Sequence, residues 1–420
     1  MKIRGFRWWI AGLLLMASVL NYLDRNTVSV LAPSIQKDLG ISDQQYAHVM
    51  SLFMIAYTIA YLCSGWVVDV MGPRISMSLF VGWWTISNSL TGLARGVGSL
   101  GLFRFMLGLG EAGGYTASPK VVAEWFPARD RGIAVGLYSV GGALGAVIAP
   151  VLVLQLAGHL GWRGVFAVMP LFGLSFVALW FWLYRKPEEH TWLTEEERTL
   201  ILTQRTPDTA PLQRPGLAAC LREVLSNPAV WALMGARMLT DPVWYFLNFW
   251  LPKYMHTERH LDQMQLTSVW VVYLAADLGF LSSGFISGAF VKRGVETMAA
   301  RRRVLLAAAC LVPLAPMITL SERLYGSFGF AALIALAHTS WLATLSTYIV
   351  DMVPRHLLGT AFGFIAAGSA VGGIVMNEAV GWVVMHHSYR PCFYAMTVLH
   401  PLAFLLIWLF ARKPWVSRAA

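Results

Sequence analysis

Arg104-Phe105-Met106-Leu107-Gly108-Leu109-Gly110-Glu111 carries a base and an acid through the middle of an apolar run, 98–123, long enough to cross a bilayer. A second such run, 8–33, holds Asn21-Tyr22-Leu23-Asp24-Arg25. A charge at bilayer depth costs at least ~2.5–3.5 kcal/mol on insertion scales, so two acids and two arginines placed there need a purpose. An ion or substrate pathway is the usual one.

The rest of the chain reads as membrane. Of its 420 residues 57% are hydrophobic and 13% charged, and 18 are tryptophan, a balance no ordinary soluble domain of this size shows. Twelve stretches qualify as spans: 8–33, 44–69, 75–96, 98–123, 131–157, 162–184, 228–255, 265–291, 303–321, 325–351, 357–384 and 389–411. The predicted fold class is an all-α integral membrane protein with twelve transmembrane helices in two pseudo-symmetric six-helix bundles.

The net charge of +10 reports topology. With both termini cytoplasmic, seven of the 32 Lys and Arg fall in outside loops or at the outer ends of spans (Lys37, Arg95, Arg163, Lys253, Arg259, Arg323, Arg390) and four deeper in spans (Arg25, Arg104, Lys120, Arg237). The other 21 lie inside, as the positive-inside rule requires, so the basic balance does not call for nucleic acid. The first 25 residues imitate a secretory signal, but no small-residue cleavage site follows, and they read as the first span. Cys63, Cys220, Cys310 and Cys392 show no metal-ligand spacing, so neither a disulfide framework nor a metal site is expected.

The one long polar stretch splits the chain into residues 1–185, a cytoplasmic linker at 186–226, and 227–420 with a short cytoplasmic tail. Each half places a Gly-rich, basic turn after its second span: Gly65-x3-Asp69-x2-Gly72-Pro73-Arg74, then Gly284-x3-Gly288 to Lys292-Arg293-Gly294. Six spans plus six is an internal repeat, the arrangement of alternating-access transporters.

Several motifs carry a resemblance. Gly65-x3-Asp69-x2-Gly72-x-Arg74 resembles the loop motif of the major facilitator superfamily, with Val70 where a base is usual. Arg104 through Glu111-Ala112, Glu124-Trp125-Phe126-Pro127, Arg131-Gly132 to Gly136, Ala149-Pro150, Gly161-Trp162-Arg163 and Asn21-Tyr22-x-Asp24-Arg25 are similar to the anion:cation symporter family. Leu239-Thr240-Asp241-Pro242-Val243-Trp244, Phe249-Trp250-Leu251-Pro252-Lys253-Tyr254, Ala337-His338 and Asp351-x2-Pro354 resemble its hexuronate transporter group. The resemblance covers nearly the whole chain. It implies the major facilitator fold, proton-driven import of a sugar-acid anion such as glucuronate or galacturonate, arginines that hold the substrate carboxylate, and acids that take the protons.

The residues support that expectation independently. Arg104, Gly108 and Glu111, spaced four and three, stack on one helical face, with no side chain at Gly108 to crowd a ligand or a neighbouring helix. Asp24 and Arg25 point about 100° apart, so the expected geometry has Arg25 facing the substrate and Asp24 turned toward Arg104. A guanidinium matches a carboxylate bidentately, which makes Arg25 and Arg104 the substrate receivers. Asp24, Glu111, Arg25 and Arg104 sum to zero charge, so a bound monoanion leaves one negative charge that protonating a carboxylate removes. Glu111 is the expected main coupling site and Asp24 the second. Two arginines make the site poor for sodium, the rival coupling ion. The alternative is that Arg104 and Glu111 only hold helices together.

For sugar hydroxyls the candidates are Tyr57 with Tyr61, Asn21 with Arg25, Tyr245 with Asn248, and His338. Arg237 and Asp241 read as an i,i+4 ion pair. Gly65, Asp69, Gly72 and Arg74 read as a latch at the cytoplasmic helix ends. The expected partners are a small sugar-acid anion, the proton and the lipid bilayer, with a monomer in the cell inner membrane and no cofactor. Rival readings are an aldonate or aldarate symporter for substrates such as galactonate or glucarate, a drug exporter of the same fold, and a membrane enzyme or sensor. Gly141-Gly142-x2-Gly145 to Ala149-Pro150 departs from the exporter pattern, and no nucleophile shares a face with a base.

Overall fold

The computed structural model describes residues 2–204, 216–261 and 268–415. Arg205, Arg214 and Arg418, counted among the inside bases, lie outside the described residues, as do the middle of the 186–226 linker and the first residues of the 265–291 span. The described chain is helical throughout, with one isolated parallel bridge between Ile3 and Leu193. Its helices are α1 (Phe6–Leu39), α2 (Asp43–Leu90), α3 (Val97–Trp125), α4 (Ala128–Leu183), α5 (Glu195–Thr203), α6 (Leu217–Leu225), α7 (Pro228–Phe249), α8 (Leu251–Thr257), α9 (Trp270–Lys292), α10 (Thr297–Leu311), α11 (Met317–Leu320), α12 (Leu324–Met352), α13 (Leu358–His386) and α14 (Arg390–Phe410).

Among the described residues, eight helical stretches are long and apolar enough to cross a membrane. Two of these are double length, α2 with its following turn at 51 residues and α4 at 56. Each breaks at a glycine held at positive φ, Gly72 (φ 77°, ψ 161°) and Gly161 (φ 67°, ψ 170°), a conformation other residues adopt only with strain. Each double helix is therefore two spans joined with almost no loop. Adding α3 and α7, whose interiors carry ionisable residues, gives the twelve spans.

Proline explains the remaining differences from the expected boundaries. Pro252 in the first turn of α8 separates that short helix from α7, where the sequence suggested one span over 228–255. Pro313 and Pro316 likewise divide 303–321 into α10, a 3-10 turn and α11. Pro33, by contrast, sits inside α1, which runs on to Leu39.

The chain forms two compact units. The first comprises Met1–Pro127, Leu137–Arg214 and Arg355–Gly363; the second comprises Ala128–Gly136, Pro215–Pro354 and Phe364–Ala420. In the first, α2 and α3 pack along their length through glycine. A side chain at Gly108 would place its Cβ 2.5 Å from the Phe53 carbonyl oxygen, and Gly110, Gly113 and Gly114 are filled by Trp83, Phe80 and Trp84. The bare face of α3 thus receives a neighbouring helix. Gly108→Val is expected to lower stability by about 1–3 kcal/mol through overpacking, read as a drop in the thermal midpoint of the detergent-solubilised protein. An unchanged midpoint would contradict this packing.

In the second unit Val243, Phe246, Leu251, Ile334 and Phe393 belong to one buried cluster. Outward faces are apolar in both units, for example Val147 at 71% and Met385 at 77% exposure, as lipid contact requires. The amino-terminus is tied to the linker: Glu197 accepts from the backbone amides of Phe6 and Arg7 and pairs with the Arg7 guanidinium at 2.7 Å. His190 is buried against Phe6 and Trp125, and that burial holds its imidazole below the ordinary value.

Candidate functional site

Consecutive residues of α1 project in different directions, and here they reach different helices. Arg25 turns to α3, where its Nε and Nη2 both meet Glu111 Oε2, at 2.9 and 2.8 Å. Its guanidinium also lies over the rings of Tyr57 (4.7 Å), Tyr22 (5.1 Å) and Phe53 (5.3 Å). Asp24 turns to the second half of α2 and accepts a hydrogen bond from Asn88 Nδ2 at 2.7 Å. Arg104 lies among the charges around Asp24, but no ion pair within 4.0 Å joins them, and the group from which Asp24 accepts is the Asn88 amide on α2.

Arg104 is fully buried, as is Glu111. One guanidinium nitrogen, Nη2, donates to the Arg25 carbonyl at a long 3.4 Å, and the cation rests over the Phe53 ring at 5.0 Å. Its Nε and Nη1 have no hydrogen-bond partner among the described residues, and neither does Glu111 Oε1. Leaving such groups unmade costs about 1–3 kcal/mol each, more for charged groups. The cluster therefore holds two unused donors on one guanidinium and an unused acceptor on a carboxylate, buried at mid-span with zero formal charge. Chemically it suits a group that accepts from a planar fork: a carboxylate.

Tyr57 and Tyr61 share a face of α2 and are linked by a 3.2 Å hydroxyl–hydroxyl bond, with Tyr115 next to Tyr61 in ring contact. Asn21 sits half-buried one turn before Arg25. In the second unit the candidates do not converge on one partner. The Tyr245 hydroxyl meets Ser369 Oγ at 3.2 Å, while Asn248 Nδ2 donates to its own helix at the Trp244 carbonyl, 2.8 Å away. His338 is fully buried; its Nδ1 lies 3.2 Å from His400 Nε2 and its ring stacks on Trp244. Arg237 and Asp241 form the i,i+4 ion pair at 3.1 Å.

The loop-motif residues gather elsewhere in the first unit. Asp69 accepts from the amides of Gly359 and Thr360 and from the Thr360 hydroxyl, and pairs with Lys120 at 2.6 Å. Gly65 lets the Gly359 backbone approach, and Arg74 donates to the Phe181 carbonyl beyond the Gly72 break. The second unit has its own buried cluster, with Asp351 shared by Arg131 (2.7 Å) and Arg301 (3.1 Å).

Three polar residues were passed over by the sequence reading. Asn88 and Asp277 are polar groups inside apolar spans, which is itself a signal; Asp277, on α9, is half-buried with no ion pair among the described residues. His400 had no spacing to link it to His338, 62 residues away.

A Major Facilitator Superfamily profile matches residues 14–376. The chain is similar to the hexuronate transporter of Escherichia coli (strain K12), 30% identical over 425 residues that cover 100% of this chain and 97% of that one. It is also similar to the galacturonate transporter of Dickeya chrysanthemi, 30% identical over 316 residues, 75% of this chain and 91% of that one. Among solved structures it shares its fold with a proton:xylose symporter bound to 6-bromo-6-deoxy-D-glucose (TM-score 0.71, 16% identity, 96% of this chain and 95% of that one). A human organic anion transporter has the same fold (TM-score 0.69, 16% identity, 97% and 100%). With twelve helical spans and a profile match over most of its length, the chain is a transporter, not an enzyme, and belongs to the Major Facilitator Superfamily.

Proposed function

We propose that this protein is a proton-coupled symporter that imports a sugar-acid anion, a hexuronate such as glucuronate or galacturonate, across the cell inner membrane by alternating access. The observation that carries the proposal is the buried cluster of Arg25, Glu111 and Arg104, in which one guanidinium is paired at 2.8 Å and the other keeps two donors unused. Arg104 takes the substrate carboxylate. The added negative charge competes with Glu111 for Arg25, which favours a proton on Glu111, with Asp24 as the second proton site. Binding of anion and proton are then mutually favourable, and linkage makes that coupling reciprocal. Within the first unit, Tyr57, whose ring lies against the Arg25 guanidinium, and Asn21, one turn before Arg25, are the proposed partners for sugar hydroxyls. The relatives named for hexuronate and galacturonate support the substrate class. The inside bases support cytoplasmic termini.

The test is uptake of radiolabelled glucuronate and galacturonate into proteoliposomes with and without an inward proton gradient. Gradient-dependent accumulation of either is the expected result. Transport of galactonate or glucarate alone would keep the mechanism and move the substrate; no response to any of these anions would overturn the proposal.

A further inference from the structure

The coupling scheme leaves one buried polar side chain of the cluster without a task. Asn88 is 1% exposed, and its Nδ2 donates to Asp24 Oδ1 at 2.7 Å. Its carbonyl oxygen, Oδ1, is also buried and has no hydrogen-bond partner among the described residues.

A carboxylate only accepts hydrogen bonds, a carboxylic acid also donates one, and an amide does both. A half-turn of the amide about its last torsion exchanges nitrogen for oxygen with almost no change of shape, and that torsion is soft. Asn88 thus meets a charged Asp24 with Nδ2 and a neutral Asp24 with Oδ1, from one backbone position and with no helix movement. A serine or an apolar residue at this place would lack either the reach or the second function. The other groups facing Asp24 are the Trp84 indole on α2 and Arg104 and Glu111 on α3. Glu111 opposes a charge on Asp24 and Arg104 favours it, so their balance changes as substrate and proton arrive, whereas an amide serves either state.

We propose that Asn88 is the positioning residue for Asp24, holding its carboxyl in place through both protonation states so that a proton can bind and leave without loosening the packing of α1 on α2. The inference rests on the reading in which Asp24 takes a proton during transport.

The experiment compares Asn88→Leu, Asn88→Gln and Asp24→Asn with the unaltered protein in proteoliposomes, using whichever sugar acid the unaltered protein accumulates. Two quantities are measured: initial uptake as a function of pH, and counterflow at equal pH on both sides, which needs binding and alternation but no net proton movement. In Asn88→Leu the pH midpoint of uptake is expected to move by about one unit or more, and gradient-driven accumulation to fall about tenfold, the worth of a hydrogen bond to a charged group. Counterflow should stay measurable, and Asn88→Gln, with the same amide on a longer stem, should restore most of the profile. Asn88→Ala makes the same test should the leucine not fit. An unmoved pH profile overturns the proposal. So does a monodisperse variant that loses counterflow as fully as accumulation, since that marks a merely structural role. Failure of the underlying reading has a different signature: Asp24→Asn would keep full gradient-driven accumulation.

Discussion

Arg104→Ala is expected to lower sugar-acid uptake by about a hundredfold or more, because removing one partner of a buried, hydrogen-bonded charge pair costs about 2–5 kcal/mol and here the lost partner is the substrate's. The geometry predicts that this loss is functional and not structural. Among the described residues Arg104 has no carboxylate within ion-pair distance, and its one hydrogen bond, to the Arg25 carbonyl, is long at 3.4 Å. Truncation therefore breaks no ion pair in the protein, and the one negative charge it leaves on the cluster is removed by protonating a carboxylate, so the variant should purify as a folded, monodisperse species with a thermal midpoint close to that of the parent. Arg25→Ala is the contrasting case. It leaves Glu111 buried without the guanidinium that meets its Oε2 twice, and breaking a buried pair in this way is strongly destabilising. Arg104→Lys restores the charge without the planar fork, and should recover less than about a tenth of the uptake. Uptake at parental rates in Arg104→Ala would remove this residue from the substrate site.

Glu111→Gln is expected to separate exchange from accumulation. The amide is close in shape to the carboxylate and can still accept from Arg25, but it carries no proton through the cycle. Proteoliposomes with this variant should continue counterflow of labelled substrate while losing accumulation driven by an inward proton gradient, by about tenfold or more, since each unit of pH difference stands for a tenfold driving force. The response of uptake to external pH should also weaken, leaving the part that Asp24 carries. Sustained gradient-driven accumulation in Glu111→Gln would move the main coupling role to another acid, with Asp24 next in line and Asp277, the half-buried carboxylate of α9, after it.

The class of the molecule and the identity of its charged cluster could be read from the chain for one reason: hydrocarbon surroundings make both signals loud. Long apolar runs have few meanings, and an acid or a base within one stands out. What the chain did not disclose is which charge meets which. Asp24 and Arg25 are adjacent, and only the path of α2 decides that Asn88 lies before Asp24 while Phe53 and Tyr57 frame Arg25. Likewise the gap above Gly108 was readable as an opening, but whether a ligand or a helix enters it depends on close approach of backbones, and here the Phe53 carbonyl does. The breaks at Gly72 and Gly161 fall between the expected spans, 44–69 and 75–96, 131–157 and 162–184, but that a single residue at positive φ makes each turn, with almost no loop, could not be read from the chain.

Glu197 and Asp69 also impose an order on synthesis. The first turn of a helix has amides that nothing within the helix can satisfy, and for α1 the acceptor of the Phe6 amide is made 191 residues later. While the ribosome works through the first six spans, the start of α1 must remain wet at the membrane surface, and it closes only when the segment after α4 emerges. Asp69 waits longer still, for Gly359 and Thr360, 290 and 291 residues downstream. The first unit is thus assembled early but sealed late, so a truncation before residue 359 would leave Asp69 with Lys120 as its partner but without the two amides and the hydroxyl from which it accepts.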